Sequence, residues 1–129
     1  TLDISDKVLK ELDYVIASVH SHFKLSKTEQ TNRIVKAIKN PNVDILGHPT
    51  GRLINQRPEY EVDLEAIIDA CQKTKTILEI NASPFRLDLN DVSIKEAIHN
   101  KIQLIINSDS HQIDQLNFMK YGVYQARRG

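Results

Sequence analysis

Tryptophan is missing from this 129-residue chain, and only four tyrosines and three phenylalanines supply its aromatic surface. So sparse a set gives no continuous platform on which single-stranded nucleic acid could stack its bases. Cysteine occurs once, at Cys71, which excludes an internal disulfide framework and suits a reducing, cytoplasmic setting. Cys71 falls in an apolar, helix-like stretch with no base beside it, so it reads as packing rather than as a nucleophile. No apolar run approaches the roughly 20 residues of a membrane helix, and the first residues carry no signal-peptide pattern, so no membrane partner is expected. Neither sign of charge dominates, because 17 lysines and arginines balance 17 aspartates and glutamates. Any attraction for phosphate must therefore be local, in one basic pocket or rim.

What the chain has is a repeated alternation. Four short apolar runs rich in β-branched residues, Tyr14 to Val19, Val43 to Leu46, Thr76 to Ile80 and Ile102 to Ile106, suit strands buried on both faces. Helical spacing lies between them. Lys27 to Lys39 puts Ile34, Val35 and Ile38 on one face, and Ser26 with Glu29 forms a capping-box signature ahead of it. Asp63 to Thr74 and Asp91 to Asn100 repeat the pattern, and Asp6 to Leu12 and Gln115 to Tyr121 are weaker candidates at the two ends. Strand starts recur about every 30 residues, the length of a βα unit. The expected class is α/β, with parallel strands joined by right-handed crossovers. Four units are fewer than the seven or eight of a closed barrel, so the chain reads either as a small open sheet or as part of a barrel.

The polar residues fall where such a sheet collects its chemistry, at the C-terminal ends of the strands. His20 follows the first strand and His48 the second, in Gly47-His48-Pro49-Thr50-Gly51-Arg52. Asp109 and His111 follow the fourth, in Ser108-Asp109-Ser110-His111. Three imidazoles and a carboxylate on one rim make a plausible ligand set for zinc, manganese or iron. Glu79 lies inside the apolar third strand, where a carboxylate needs a partner; it is read as a member of a buried ion pair that supports the barrel rather than as a ligand. Asn81 is placed to orient a ligand from behind. His22 is assigned to the surface and His99 to the end of its helix, where a cation suits the dipole. Gly47 and Gly51 are expected to permit tight turns. Arg52, in the long Pro49 to Val62 loop, is the candidate for forked contacts with phosphate, whereas Arg57 is read as a surface arginine.

Taken in order, Ser18-Val19-His20-Ser21, Gly47-His48-Pro49-Thr50-Gly51-Arg52, Leu78-Glu79-Ile80-Asn81-Ala82 and Ser108-Asp109-Ser110-His111 resemble the polymerase-and-histidinol-phosphatase (PHP) domain. They resemble in particular its version at the C-terminal end of bacterial and archaeal family-X DNA polymerases, as do Leu87-Asp88-Leu89 and Gly122-Val123. The resemblance covers essentially the whole chain. It implies the C-terminal part of a distorted (β/α)7 barrel of the TIM-like kind, with up to three divalent ions, manganese or zinc, at its rim. His20, His48, Asp109 and His111 match metal positions of that family. The family's opening H-x-H motif and its later glutamate ligand have no counterpart here, so residues 1–129 are expected to be a partial domain with the polymerase domain upstream.

That resemblance implies metal-dependent hydrolysis of DNA phosphodiesters, in the manner of an exonuclease, with DNA as partner. Two alternatives stand beside it. One is phosphomonoester hydrolysis of the histidinol-phosphatase type, and the other is a metal-stabilised scaffold that positions a polymerase without cutting. The partial domain alone is expected to be weak or inactive.

Overall fold

The structure, a computed structural model, describes residues 2–129. Its frame is a sheet of four parallel strands in the order β1 (Ile16–Ala17), β2 (Ile45–Leu46), β3 (Ile77–Asn81) and β4 (Leu104–Asn107). Register runs directly across, with Ile16 beside Ile45, Ile45 beside Ile77 and Leu78 beside Leu104. A sheet whose neighbours are also consecutive in sequence turns steadily in one direction, as one part of a barrel wall does. The expectation of parallel βα units is met.

Each crossover is a helix whose start the sequence encodes. In α2 (Lys27–Ile38) the Ser26 hydroxyl accepts the Glu29 N–H at 3.3 Å, and the Glu29 carboxylate accepts the Ser26 N–H at 3.1 Å. This reciprocal pair satisfies two donors that the first turn would otherwise leave open. Asp63 caps α3 (Leu64–Thr74) through the Ala66 N–H, and Asn90 caps α4 (Asp91–His99) through the Ser93 N–H. A short α1 (Asp6–Leu9) precedes β1, and a 3-10 helix over Ile113–Phe118 leads into α5 (Met119–Arg128). The segment expected as one weak helix over Gln115 to Tyr121 is therefore split between two helical types.

Ile34 and Ile38 of α2, Ile67, Ile68 and Cys71 of α3, and Ile94 and Ala97 of α4 meet Leu46, Leu78 and Ile80 of the sheet in one apolar cluster. β3 is buried along nearly its whole length, so it is the central wall against which the others are set. α2 packs on α3, while α5 lies against β3 and β4. No helix among the described residues is long and apolar enough to cross a membrane. Packing in this core fixes the strands, and the strands fix the loops at their C-terminal ends.

Candidate metal centre

β1 and β2 end side by side, and the residues just beyond them bring His20 and His48 together. Their Nε2 atoms are 3.3 Å apart, with the rings edge-on at 67°. His20 is exposed, whereas His48 is 5% exposed and its Nδ1 is buried with no hydrogen-bond partner. Burial, then the charges of Arg86 and His20, push the His48 imidazole down to a pKa of about 4, so it is neutral at pH 7 and offers one nitrogen lone pair.

Two features hold that imidazole. His48 has φ +29°, a conformation that a side chain rarely takes without outside support. Support comes from Glu79 on β3, whose Oε2 accepts the His48 backbone N–H at 2.6 Å. The same carboxylate accepts Asn81 Nδ2 at 3.2 Å and Asn107 Nδ2 at 2.8 Å. Glu79 thus joins the ends of β2, β3 and β4 through three donors rather than through the cationic partner an ion pair would supply. Asn81 donates through its amide to Glu79 and accepts the Ser83 N–H through Oδ1, so it bonds to the group behind His48 and to no proposed ligand directly.

The turn after His48 is locked by Asp88, a fully buried carboxylate in the loop that follows β3. It accepts the N–H groups of Thr50 at 3.0 Å and Gly51 at 2.9 Å. Burial pushes its pKa up to about 6 against the opposing pull of those donors. Gly51 has φ +64°, and a Cβ there would lie 2.1 Å from the Tyr60 ring. The glycine is therefore required for both conformation and space. Gly47 has no such φ; a Cβ at that position would crowd Ile16 Cγ2 at 2.9 Å, so its reason is close strand approach rather than a turn.

Beyond β4, Asp109 also sits at positive φ, +53°. Its carboxylate faces Arg86 Nε at 3.3 Å instead of the histidine pair. His111 is exposed, its Nδ1 2.8 Å from the Asp109 carbonyl and its N–H bonded to Gln115 Oε1. The structure thus unites His20 with His48, and Asp109 with Arg86, at neighbouring strand ends. Among the described residues no three His, Cys, Asp or Glu side chains converge on one point.

The donor set nonetheless fits a divalent cation. Two imidazole nitrogens bound to tetrahedral zinc at about 2.0–2.1 Å stand about 3.3 Å apart, the span from His20 to His48. A neutral His48 imidazole agrees with that use.

Arg52 does not reach the histidines. Its Nε donates to the Arg86 carbonyl at 2.6 Å, its Nη2 to the Leu87 carbonyl, and its Nη1 is 3.9 Å from Glu59. Its guanidinium braces the Arg86 loop from behind. Arg57, read as a surface group, is half-buried; it donates to the Gly51 carbonyl and covers the Phe23 ring at 3.8 Å. His22 and His99 are exposed, as assigned. Asp88 and Arg86, in a loop, and Asn107, at the end of β4, carried no periodicity or spacing signal that marks a side chain turned toward the site. The resemblance of Leu87-Asp88-Leu89 to the family was the one pointer to that loop.

No family model matches the chain. Curated relatives do. A probable phosphatase of Clostridium acetobutylicum is 33% identical over 118 residues, which are 85% of this chain and 46% of that protein. A probable phosphatase of Caldanaerobacter subterraneus is 39% identical over 87 residues, 65% of this chain and 32% of that protein. With parallel βα units and the ordered strand-end motifs, these matches are consistent with the C-terminal portion of a PHP domain. The full length of the chain is also 46% identical, over 129 residues, to the DNA polymerase/3'-5' exonuclease PolX of Bacillus subtilis, of which it matches 23%, in the C-terminal part. The chain therefore spans less than half the length of the curated relatives it matches.

Proposed function

We propose that this chain supplies the C-terminal half of a divalent-metal phosphoesterase centre that removes nucleotides from DNA ends. The observation that carries the reading is the pair of Nε2 atoms, 3.3 Å apart, at the ends of adjacent parallel strands. His20 and His48 would hold manganese or zinc, and Asp109 and His111 would add their donors from the end of β4. Up to three ions would be held once the strands that complete the barrel are present. The chemistry a divalent cation supplies in such a place is polarisation of a phosphoryl oxygen and acidification of water to a pKa of about 7.

The chain's own residues set up that chemistry. Glu79 keeps the His48 backbone at its strained φ, and Asp88 pins the following turn, so the imidazole springs from a fixed stretch of main chain. Burial keeps His48 neutral and therefore able to donate a lone pair. Ser18, Ser21 and Ser110 need not act as nucleophiles, and no G-x-S-x-G elbow presents them for it. Arg52 contributes through the loop it braces.

DNA is favoured as substrate because the relative matched along the entire chain is named as a polymerase and exonuclease. A second reading, hydrolysis of a small phosphate monoester, is supported by the relatives named probable phosphatases. The test offers the complete polymerase-length protein a 3′-end-labelled DNA strand and a small phosphate ester, each with manganese, beside a His48→Ala control. Nucleotide release that disappears in the control supports the nuclease. Turnover of the small ester alone would replace it with the monoesterase, and turnover of neither, with metal bound, would leave the scaffold.

A further inference from the structure

Arg86 lies in the loop after β3, between the turn that carries His48 and the loop that carries Asp109. Its Nε is 3.3 Å from Asp109 Oδ2, and both side chains are largely shielded, at 17% and 29% exposure. The loop holds it firmly. Its N–H donates to the Ser83 carbonyl at 2.8 Å, and its own carbonyl accepts Arg52 Nε at 2.6 Å. Nη1 reaches the Arg52 carbonyl at 3.4 Å, and Nη2 has no hydrogen-bond partner among the described residues.

The other arginines near these strand ends are committed. Arg52 is bonded to the carbonyls of Arg86 and Leu87, and Arg57 to the carbonyl of Gly51. Arg33 donates through both Nη atoms to Ser21. Arg86 alone of the four points its guanidinium at a carboxylate of the candidate centre. Its charge is also felt at the buried His48 imidazole, where it favours the neutral ring. In a chain of zero net charge, this is the local cation that recognition of phosphate requires.

A carboxylate that ligates a metal ion shares its charge with that ion and holds a neighbouring guanidinium less tightly. The freed N–H donors then form a planar fork, a shape that matches two oxygens of a phosphoryl group. We propose that Arg86 is the phosphate-binding residue of this site, kept in place by its backbone bond to Ser83 and by the brace from Arg52, and that it grips the phosphoryl oxygens of a phosphate ester. The inference rests on the phosphoesterase reading above and adds to it the residue that takes the substrate's charge.

The test is calorimetric titration of inorganic phosphate into the complete, manganese-loaded protein, with bound manganese counted by atomic absorption. Arg86→Gln is expected to weaken phosphate binding at least about tenfold with metal content unchanged. Arg86→Lys keeps the charge but loses the fork, so an intermediate loss is expected. Arg128→Gln, at a surface pair with Asp91, should change nothing. Equal phosphate affinity in wild type and Arg86→Gln would overturn the assignment and leave the phosphoesterase reading standing. Loss of manganese together with phosphate in both Arg86 variants would make Arg86 a structural partner of Asp109 and overturn it too. A wild-type protein that takes up neither manganese nor phosphate would overturn the phosphoesterase reading itself, and the role of Arg86 with it.

Discussion

The backbone N–H of His48 donates to Glu79 Oε2 at 2.6 Å, so a buried carboxylate on β3 fixes the imidazole that follows β2. A hydrogen bond to a charged acceptor contributes about 1.5–3 kcal/mol, and here it also holds a residue at positive φ. Glu79→Ala is expected to speed hydrogen exchange at the His48 amide and to weaken metal binding about 10–100-fold, while β3 amides such as Ile80 stay protected. Unchanged metal affinity would remove Glu79 from the support of the site.

Asp88 is predicted to make stability depend on pH. Its folded pKa, about 6, lies above its ordinary value of 3.8. A carboxyl raised in this sense favours the fold fully below about pH 4, and that contribution is lost as pH rises through 6. The difference of about two units is worth on the order of 3 kcal/mol. Asp88→Asn removes the titration. Protection of core β3 amides in wild type, relative to Asp88→Asn measured at the same pH, should therefore fall between pH 4 and pH 7. A constant ratio would show that Asp88 does not titrate there.

Gly51→Ala is expected to destabilise the His48 turn by about 2 kcal/mol or more, since it combines an unfavourable φ with a clash against Tyr60. Hydrogen exchange at Gly51 and Tyr60 reads the effect directly. The Tyr60 hydroxyl, which donates to the Pro49 carbonyl at 2.8 Å, should lose protection with them. An alanine variant with wild-type protection would mean that the ring moves aside without cost.

Cys71 is fully buried, and burial pushes its thiol up to a pKa of about 12. Native protein should resist alkylation by iodoacetamide at pH 8 and react only after denaturation. Rapid labelling of the folded chain would contradict its place in the core.

How much of this was legible in the sequence depends on what kind of force places each residue. Burial patterns located all four strands, yet Tyr14 to Val19 shrank to Ile16–Ala17. Sheet ladders are set by the neighbouring strand, and Tyr14 and Ile16 are exposed at the edge. Cap chemistry is local, and so Ser26 with Glu29 could be read in advance and is found with both bonds made. His20 and His48 were legible because strand ends bring loops together whatever the loops contain. The partner of Asp109 was not, because its pairing with Arg86 spans 23 residues and depends on how two loops settle. The same holds for Glu79: its need for partners followed from its apolar surroundings, but that these would be a backbone amide and two asparagines did not. Arg52 kept its place beside the site and turned its guanidinium to the backbone, where carbonyls of the next loop lay within reach.

The most direct measurement is anomalous diffraction at the manganese edge from crystals of the complete protein grown with manganese. A peak is expected within about 2.3 Å of both His20 Nε2 and His48 Nε2. A protein that binds manganese elsewhere, with the two imidazoles still facing each other and no peak between them, would contradict it.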